Sequence, residues 1–264
     1  MTKGQDAGGA QTIERAVLIL RELASAADSG MRLVDLQRAT NLSKPTVHRI
    51  LRALSIHGLV AQDAPSRRYR LGQELAVLGW SVTRTSYDLR ELCQPEMLAL
   101  AEETGDTSFL TVRSGIDSVC IDRKMGPYPI KAFTVDVGTR RPLPVGAGGV
   151  AIISCLHESE AELVFLNNRE RLQKYSNISE RALWRAVHMA RSEGYALSDG
   201  FVLKGVRGLA VPLKNSRGEA VAALSIAAIA DRVSRARLPS LVSILRRLAA
   251  SIEKKIARVD HVHH

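Results

Sequence analysis

Leu42-Ser43-Lys44-Pro45-Thr46-Val47-His48-Arg49-Ile50-Leu51-Arg52-Ala53-Leu54 is the stretch that decides the fold of the chain's first third. On a helical wheel Val47, Ile50, Leu51 and Leu54 gather on one side. Pro45, His48, Arg49 and Arg52 lie opposite, with Lys44 and Thr46 flanking the first turn. Ser43 is suited to cap the helix. An apolar face anchors such a helix on its neighbours. The cations and small polar groups near its N-terminus are placed as in a helix that reads base edges in a major groove. The N-terminus itself favours a phosphate. Arg49 is the best candidate for a bidentate contact to guanine, and Thr46 for a base or a thymine methyl.

Working outward, Ile13, Ala16, Val17, Leu20, Leu23, Ala24 and Ala27 recur at helical spacing, with Thr12 as a cap and Asp28-Ser29-Gly30 as a stop. A short helix follows with Leu33, Leu36 and Ala39 inward, then a turn at Thr40-Asn41-Leu42. After Gly58, Leu59-Val60-Ala61 and Tyr69-Arg70-Leu71 read as two short strands closed by Gly72. Three helices and a hairpin in this order make a winged helix-turn-helix, predicted for residues 11–72 behind a disordered tail, 1–10. Arg67, Arg68 and Arg70 fall in the wing, within reach of backbone phosphates or a minor groove. Between Gly30 and Gly72 eight Lys or Arg face two acids, Asp35 and Asp63. The whole chain carries a formal charge of +10, which favours a polyanionic partner. Aromatics make up only 4% of it, which argues against stacked platforms for single strands.

A helix is predicted for residues 73–87, with Leu75, Leu78 and Val82 on one side, and another from Pro95 to Thr104. Residues 73–92 are assigned as a linker helix. Beyond Gly105 the pattern turns to strands, at Phe109–Val112, Val119–Ile121 and Ile130–Val135. Helices near residues 158–166 and 180–193, a hairpin from Leu209 to Ala228, and a basic helix near 237–258 complete an α+β half with an antiparallel or mixed sheet. Residues 259–264 read as a tail.

The chain resembles the IclR family of bacterial transcription regulators over nearly its whole length. The resemblance rests on Ile13–Leu20, on the quoted stretch, on His57-Gly58-Leu59-Val60 and on Tyr69-Arg70-Leu71-Gly72. In the second half it rests on Val137–Leu143, Gly194-Tyr195-Ala196, Val206–Leu213 and Val221–Ile226. It implies a GAF-like effector domain over residues 93–258 and a homo-oligomer, a dimer or dimer of dimers, on palindromic double-stranded operator DNA. It also implies a small-molecule effector, a carboxylate, on the concave face of the sheet under the loop Ala147-Gly148-Gly149, whose amides can hold the acid. Ser198, Gly208, Ser225 and Ala227 face that loop by the same resemblance, and the acid is expected to be held by the loop amides, Ser198 or neighbouring Asp199, and Ser225. Small residues there, with Val150 where many members have lysine and Pro144 where many have histidine, imply a roomier, less polar pocket able to take an aromatic acid. The plainer alternative is that these small residues only let loop and sheet pack closely.

Other signals count for less. Gly146-Ala147-Gly148-Gly149-Val150-Ala151 fits a dinucleotide fingerprint, but the Arg141-Pro142-Leu143-Pro144 before it is poor strand material. Cys93, Cys120 and Cys155 form no CxxC pair, and Cys120 reads as packed rather than reactive. His261, His263 and His264 suggest a solvated tail, and Arg246, Arg247, Lys254 and Lys255 a solvated helix face. No nucleophile–base pair or metal cluster is evident, so no enzyme activity, metal or cofactor is expected. An architectural DNA binder with little sequence preference is the remaining alternative. With no apolar leader and no membrane-length apolar run, a cytoplasmic protein without membrane contact is expected.

Overall fold

Ala16, Ile19, Leu20 and Leu23 repeat at three- and four-residue intervals and form the packed face of α1 (Asp6–Ser25). Ile13, Val17 and Ala24, predicted on that face, are exposed instead, because α1 carries apolar residues on more than one side. The helix also begins earlier than predicted, at Asp6, inside the stretch read as a tail; extending a nucleated helix adds one hydrogen bond per residue fixed. The computed structural model describes residues 6–26, 29–83, 88–132, 135–175 and 178–262; Ala27, Asp28, Tyr87, His263 and His264 lie outside them.

The chain divides into two units, Met1–Thr85 and Ser86–His264. In the first, α2 (Leu33–Thr40) buries Leu36 and Thr40, while Ala39 is exposed rather than inward. Thr40 returns its hydroxyl to the Leu36 carbonyl at 2.6 Å, which satisfies a buried polar group. Asn41 turns the chain with φ 54°, a left-handed geometry that asparagine tolerates, and α3 (Lys44–Ile56) follows. β1 (Val60–Gln62) and β2 (Tyr69–Leu71) pair antiparallel, and Met31 bridges to the free side of Tyr69. Gly72 leaves β2 so close to α3's end that a Cβ there would stand 1.9 Å from the Gly58 carbonyl oxygen. The core is Ile19, Leu23, Leu36, Val47, Ile50 and Leu51, with Leu54, Val60 and Tyr69 at its rim. Leu51 is fully buried there, so Leu51→Ala should cost about 3 kcal/mol, read as a lower unfolding midpoint of this unit. α4 (Glu74–Thr83) completes the unit.

The second unit opens on α5 (Leu89–Thr104), which starts six residues before the predicted Pro95. Asp88 caps it, accepting from the Arg90 and Glu91 amides, and Pro95 is carried inside the helix. The predicted linker 73–92 therefore spans two helices, α4 and the start of α5.

A six-stranded sheet runs in the order β5-β4-β3-β8-β7-β6, antiparallel at every pair. Its strands are β3 (Thr107–Ser114), β4 (Asp117–Lys124), β5 (Arg140–Pro142), β6 (Ala196–Asp199), β7 (Val206–Lys214) and β8 (Ala220–Ile229). The described residues of the predicted strand 130–135 are not in a strand; Arg140–Pro142 takes the edge instead. Proline is tolerated on an edge strand, which lacks a partner on one side, so Arg141-Pro142 forms strand against the expectation from its composition.

Strict alternation along β7 and β8 separates two cores. Leu209, Val211 and Leu213 with Leu224 and Ile226 face α5 and α9 (Leu238–Val262), meeting Met97, Leu100, Leu241, Leu245 and Ile252. Gly208, Ala210, Ala223, Ser225 and Ala227 face the other way, toward α6 (Ala147–Ser154). These small side chains let α6 lie close to the sheet. α7 (Glu158–Leu172) and α8 (Glu180–Glu193) close that layer around Val150, Ile152, Phe165 and Leu183.

Candidate functional site

α3 separates its faces as its period demands. Val47, Ile50, Leu51 and Leu54 are buried, and Lys44, Pro45, His48, Arg49 and Arg52 are exposed. Ser43 occupies the N-cap position, but its hydroxyl meets that of Thr46 at 2.8 Å rather than a backbone amide. The first-turn amides of α3 keep no intrahelical partner, which makes the cationic end of this helix a ready anion site.

The wing is built by a short turn. Asp63 accepts from the Ser66 amide at 2.9 Å and from the Ser66 hydroxyl, which holds its carboxyl below the usual carboxylate range. Arg67 then takes φ 57° at the tip. Arg67 and Arg70 are exposed, whereas Arg68 is half-buried and donates to the Gly30 carbonyl at 2.9 Å. Arg68 thus ties the wing to the end of the α1–α2 connection, a role its position in a basic triplet did not reveal. Arg70→Ala should lower the salt slope of DNA binding by about one unit, as expected for one lost phosphate contact. Arg68→Ala should leave that slope in place and lower the unfolding midpoint by an amount worth roughly 1 kcal/mol. Titrating a duplex at several salt concentrations, beside thermal unfolding, separates the two.

In the second unit, Ala147, Gly148 and Gly149 are the first turn of α6, not a loop; Gly146 precedes them with φ 86°. Their placement is set by close contacts. A Cβ on Gly149 would lie 1.8 Å from the Leu143 carbonyl oxygen, one on Gly148 2.9 Å from Thr111 Oγ1, and one on Gly208 2.8 Å from Ser198 Oγ. Tight packing therefore accounts for part of the glycine pattern. It does not fill the space: a pocket of about 70 Å³, measured as room for the centre of a water molecule, remains between α6 and the sheet.

Of the predicted positions, Ala147, Gly148, Gly149, Ser198, Gly208, Ser225 and Ala227 line this pocket. Asp199 does not. Strand alternation turns it away from Ser198, and it pairs with Arg207 at 2.9 Å. Ser225 is buried and gives its hydroxyl to the Phe109 carbonyl at 3.4 Å. The sequence reading missed Thr111, Ser118, Thr139 and Arg141, which make one end of the pocket more polar than expected. Phe109, Val202, Leu203 and Val206 supply apolar lining. Cys120 also lines it. Burial pushes its thiol up to about 11, and Cys93's up to about 12, so both are protonated at neutral pH and unsuited to nucleophilic work.

β5 and α6 do form a strand, turn and helix around the glycine fingerprint. β5, however, is an antiparallel edge strand, so the parallel βαβ crossover that holds a dinucleotide is not what surrounds it. Among the described residues no group of three or more His, Cys, Asp or Glu is placed to hold a metal ion, and no helix is long and apolar enough to cross a membrane.

The comparisons with known proteins agree with this two-part construction. The family profile for the IclR helix-turn-helix domain matches residues 12–64, and the profile for the bacterial transcriptional regulator IclR C-terminal domain matches residues 82–254. The chain is 29% identical over 247 residues to the HTH-type transcriptional regulator XynR of Escherichia coli, covering 93% of this chain and 97% of that one. It is 28% identical over 240 residues to the HTH-type transcriptional regulator BhcR of Paracoccus denitrificans, covering 90% and 84%. A crystal structure of a putative IclR transcriptional regulator from Silicibacter matches with a TM-score of 0.77 at 22% identity, covering 93% of this chain and 96% of that one. An IclR regulator from Alicyclobacillus acidocaldarius matches with a TM-score of 0.70 at 24% identity, covering 92% and 98%. The relatives are named as transcriptional regulators, not enzymes, and the two profiles span the exposed cationic helix at one end and the lined pocket at the other: the chain belongs to the IclR family of bacterial transcriptional regulators.

Proposed function

We propose that this regulator reads a specific double-stranded operator through α3 and the wing, and that a small organic acid bound between α6 and the sheet changes its operator affinity. The observation that carries the proposal is the pocket itself. It lies under the first turn of α6, where helix amides favour a carboxylate, in the same chain as an exposed recognition-type helix. Arg49 reads a base pair, while Ser43, Lys44, Thr46, His48, Arg52, Arg67 and Arg70 position the unit on the duplex. The acid acts by binding the DNA-competent and DNA-incompetent arrangements with different affinity.

The protein works as a homo-oligomer, a dimer or a dimer of dimers, on two half-sites. Large apolar side chains exposed within the N-terminal unit support this: Ile13 and Val17 on α1, and Val77, Leu78 and Trp80 on α4. The hydrocarbon part of the acid lies against Phe109, Val202, Leu203 and Val206.

Thermal unfolding against a panel of small carboxylates tests the pocket. A ligand of the folded state raises the midpoint, and Gly148→Leu, which fills the space beside Thr111, should abolish the rise. A rise that survives Gly148→Leu would place the acid elsewhere.

A further inference from the structure

β6 ends at Asp199 and β7 begins at Val206; of the six residues between them, Val202 and Leu203 line the pocket. Both ends of this segment are pinned. Arg207 pairs with Asp199 at 2.9 Å and donates to the Val233 carbonyl at 3.1 Å. The Gly200 amide donates to the Val206 carbonyl at 3.0 Å, and the Ala230 amide to the Gly205 carbonyl at 2.8 Å. Gly200 and Gly205 turn the chain with φ 69° and 81°. Neither is crowded: a Cβ on Gly205 would meet nothing within 4 Å, and one on Gly200 only the Lys204 Cα at 3.9 Å. Backbone conformation, not packing, therefore calls for glycine at both ends.

The middle is held differently. Among the described residues the backbones of Phe201, Val202 and Lys204 make no hydrogen bond, and that of Leu203 makes one, accepting from the Val206 amide at 3.1 Å. Phe201 and Val202 rest on the α6–α8 core by apolar contact, with Val202 Cγ2 3.8 Å from where a Gly146 Cβ would stand at the start of α6. Leu203 lines the pocket and is nevertheless 52% exposed. Pinned ends, a glycine at each and few backbone bonds put such a segment at the low-stability end of a fold, where local opening costs little. A leucine left half in water over a cavity gains burial only when something apolar fills the space beside it.

We infer that Gly200–Gly205 is a hinged strap that admits the effector and closes over it, and that Leu203 makes closure depend on an apolar group at the pocket mouth. This rests on the effector pocket proposed above and adds to it the element that moves and the residue on it that selects. An acid with a hydrocarbon group is covered by Leu203 and holds the strap shut. Acetate, with one methyl, leaves Leu203 in water and the strap free. The larger acid binds the closed arrangement more tightly than the open one, as a ligand must in order to shift a population.

The test uses the full-length protein with acetate, butyrate and benzoate. Amide hydrogen exchange reads the strap and calorimetry reads affinity. Butyrate or benzoate at saturation should slow exchange across Phe201–Gly205 about tenfold, and acetate should not. Leu203→Ser should weaken butyrate and benzoate about 5- to 10-fold, narrowing their advantage over acetate by the same factor. Leu203→Met, which keeps the apolar volume, should restore most of that advantage. Leu203 is half exposed, so neither variant should move the unfolding midpoint by much. A strap that exchanges equally fast with and without a bound acid overturns the proposal, while protection of α6 and β8 amides in the same experiment would leave the effector pocket standing. Equal weakening of all three acids by Leu203→Ser overturns the selective role of Leu203. Protection by none of the acids, at α6, at β8 or at the strap, removes the effector pocket and the strap with it.

Discussion

Gly149→Ala is expected to lower the unfolding midpoint of the C-terminal unit by roughly 6–12 °C, the equivalent of about 3 kcal/mol for a domain of this size. The substitution sits inside a helix, where alanine would ordinarily be worth about 1 kcal/mol more than glycine. The overlap decides the sign. The new Cβ would stand 1.8 Å from the Leu143 carbonyl oxygen, a backbone atom with no rotamer to change. Leu143 cannot yield easily either, because its side chain is fully buried and its amide donates to the Ile116 carbonyl at 2.9 Å. α6 must therefore move off the sheet and open the pocket beneath it. Gly148→Ala is the matched control. Its Cβ would meet Thr111 Oγ1 at 2.9 Å and Thr111 Cβ at 3.1 Å, a far smaller overlap than the one at Gly149, so the cost should be smaller. Calorimetric scans of both variants check the pair, and a Gly149→Ala midpoint at or above that of the parent would contradict the packing account.

Arg49→Ala is expected to erase discrimination at one base pair of each half-site, worth roughly 1–3 kcal/mol, or about 5- to 150-fold in affinity for the preferred sequence. Arg49 lies on the exposed face of α3, one turn from its N-terminus and next to His48. The buried Val47, Ile50 and Leu51 fix the helix, so removing an exposed side chain should leave the unfolding midpoint nearly unchanged. Binding to a set of duplexes that differ at single positions gives the answer. A loss spread evenly over all sequences would mean that Arg49 holds phosphate, and would favour an architectural role over a reading one.

Local pattern was legible in this sequence and long-range pairing was not. α3 could be placed because its buried positions and cationic face lie within thirteen residues, and β1 and β2 because a short turn joins them. The alternation of β7 and β8 was legible for the same reason: one tight turn, Lys214 to Ala220, connects them. Arg141 escaped notice because its place in the pocket depends on a pairing with Ser118 across the intervening β4–β5 connection. The tethering role of Arg68 is hidden in the sequence because its partner, the Gly30 carbonyl, is 38 residues away. Ile19 stands at the edge of the apolar arc of α1, opposite Ile13 and Val17, and only the position of α2 and α3 selects that edge for the core. The first turn of α6 does not read as helix in the sequence because glycine lowers helix propensity, yet here closeness to Leu143 and Thr111 demands glycine.

The proposed regulation couples operator and acid through one protein. The measurement that tests it most directly is the affinity for an operator, isolated by selection from random duplexes, with and without a saturating concentration of the acid that stabilises the fold. The converse affinity for the acid, with and without operator, is measured on the same preparation. The two factors should be equal and differ from one, because linkage between binding sites is reciprocal. An acid that binds in the α6 pocket and leaves the operator affinity unchanged would contradict it.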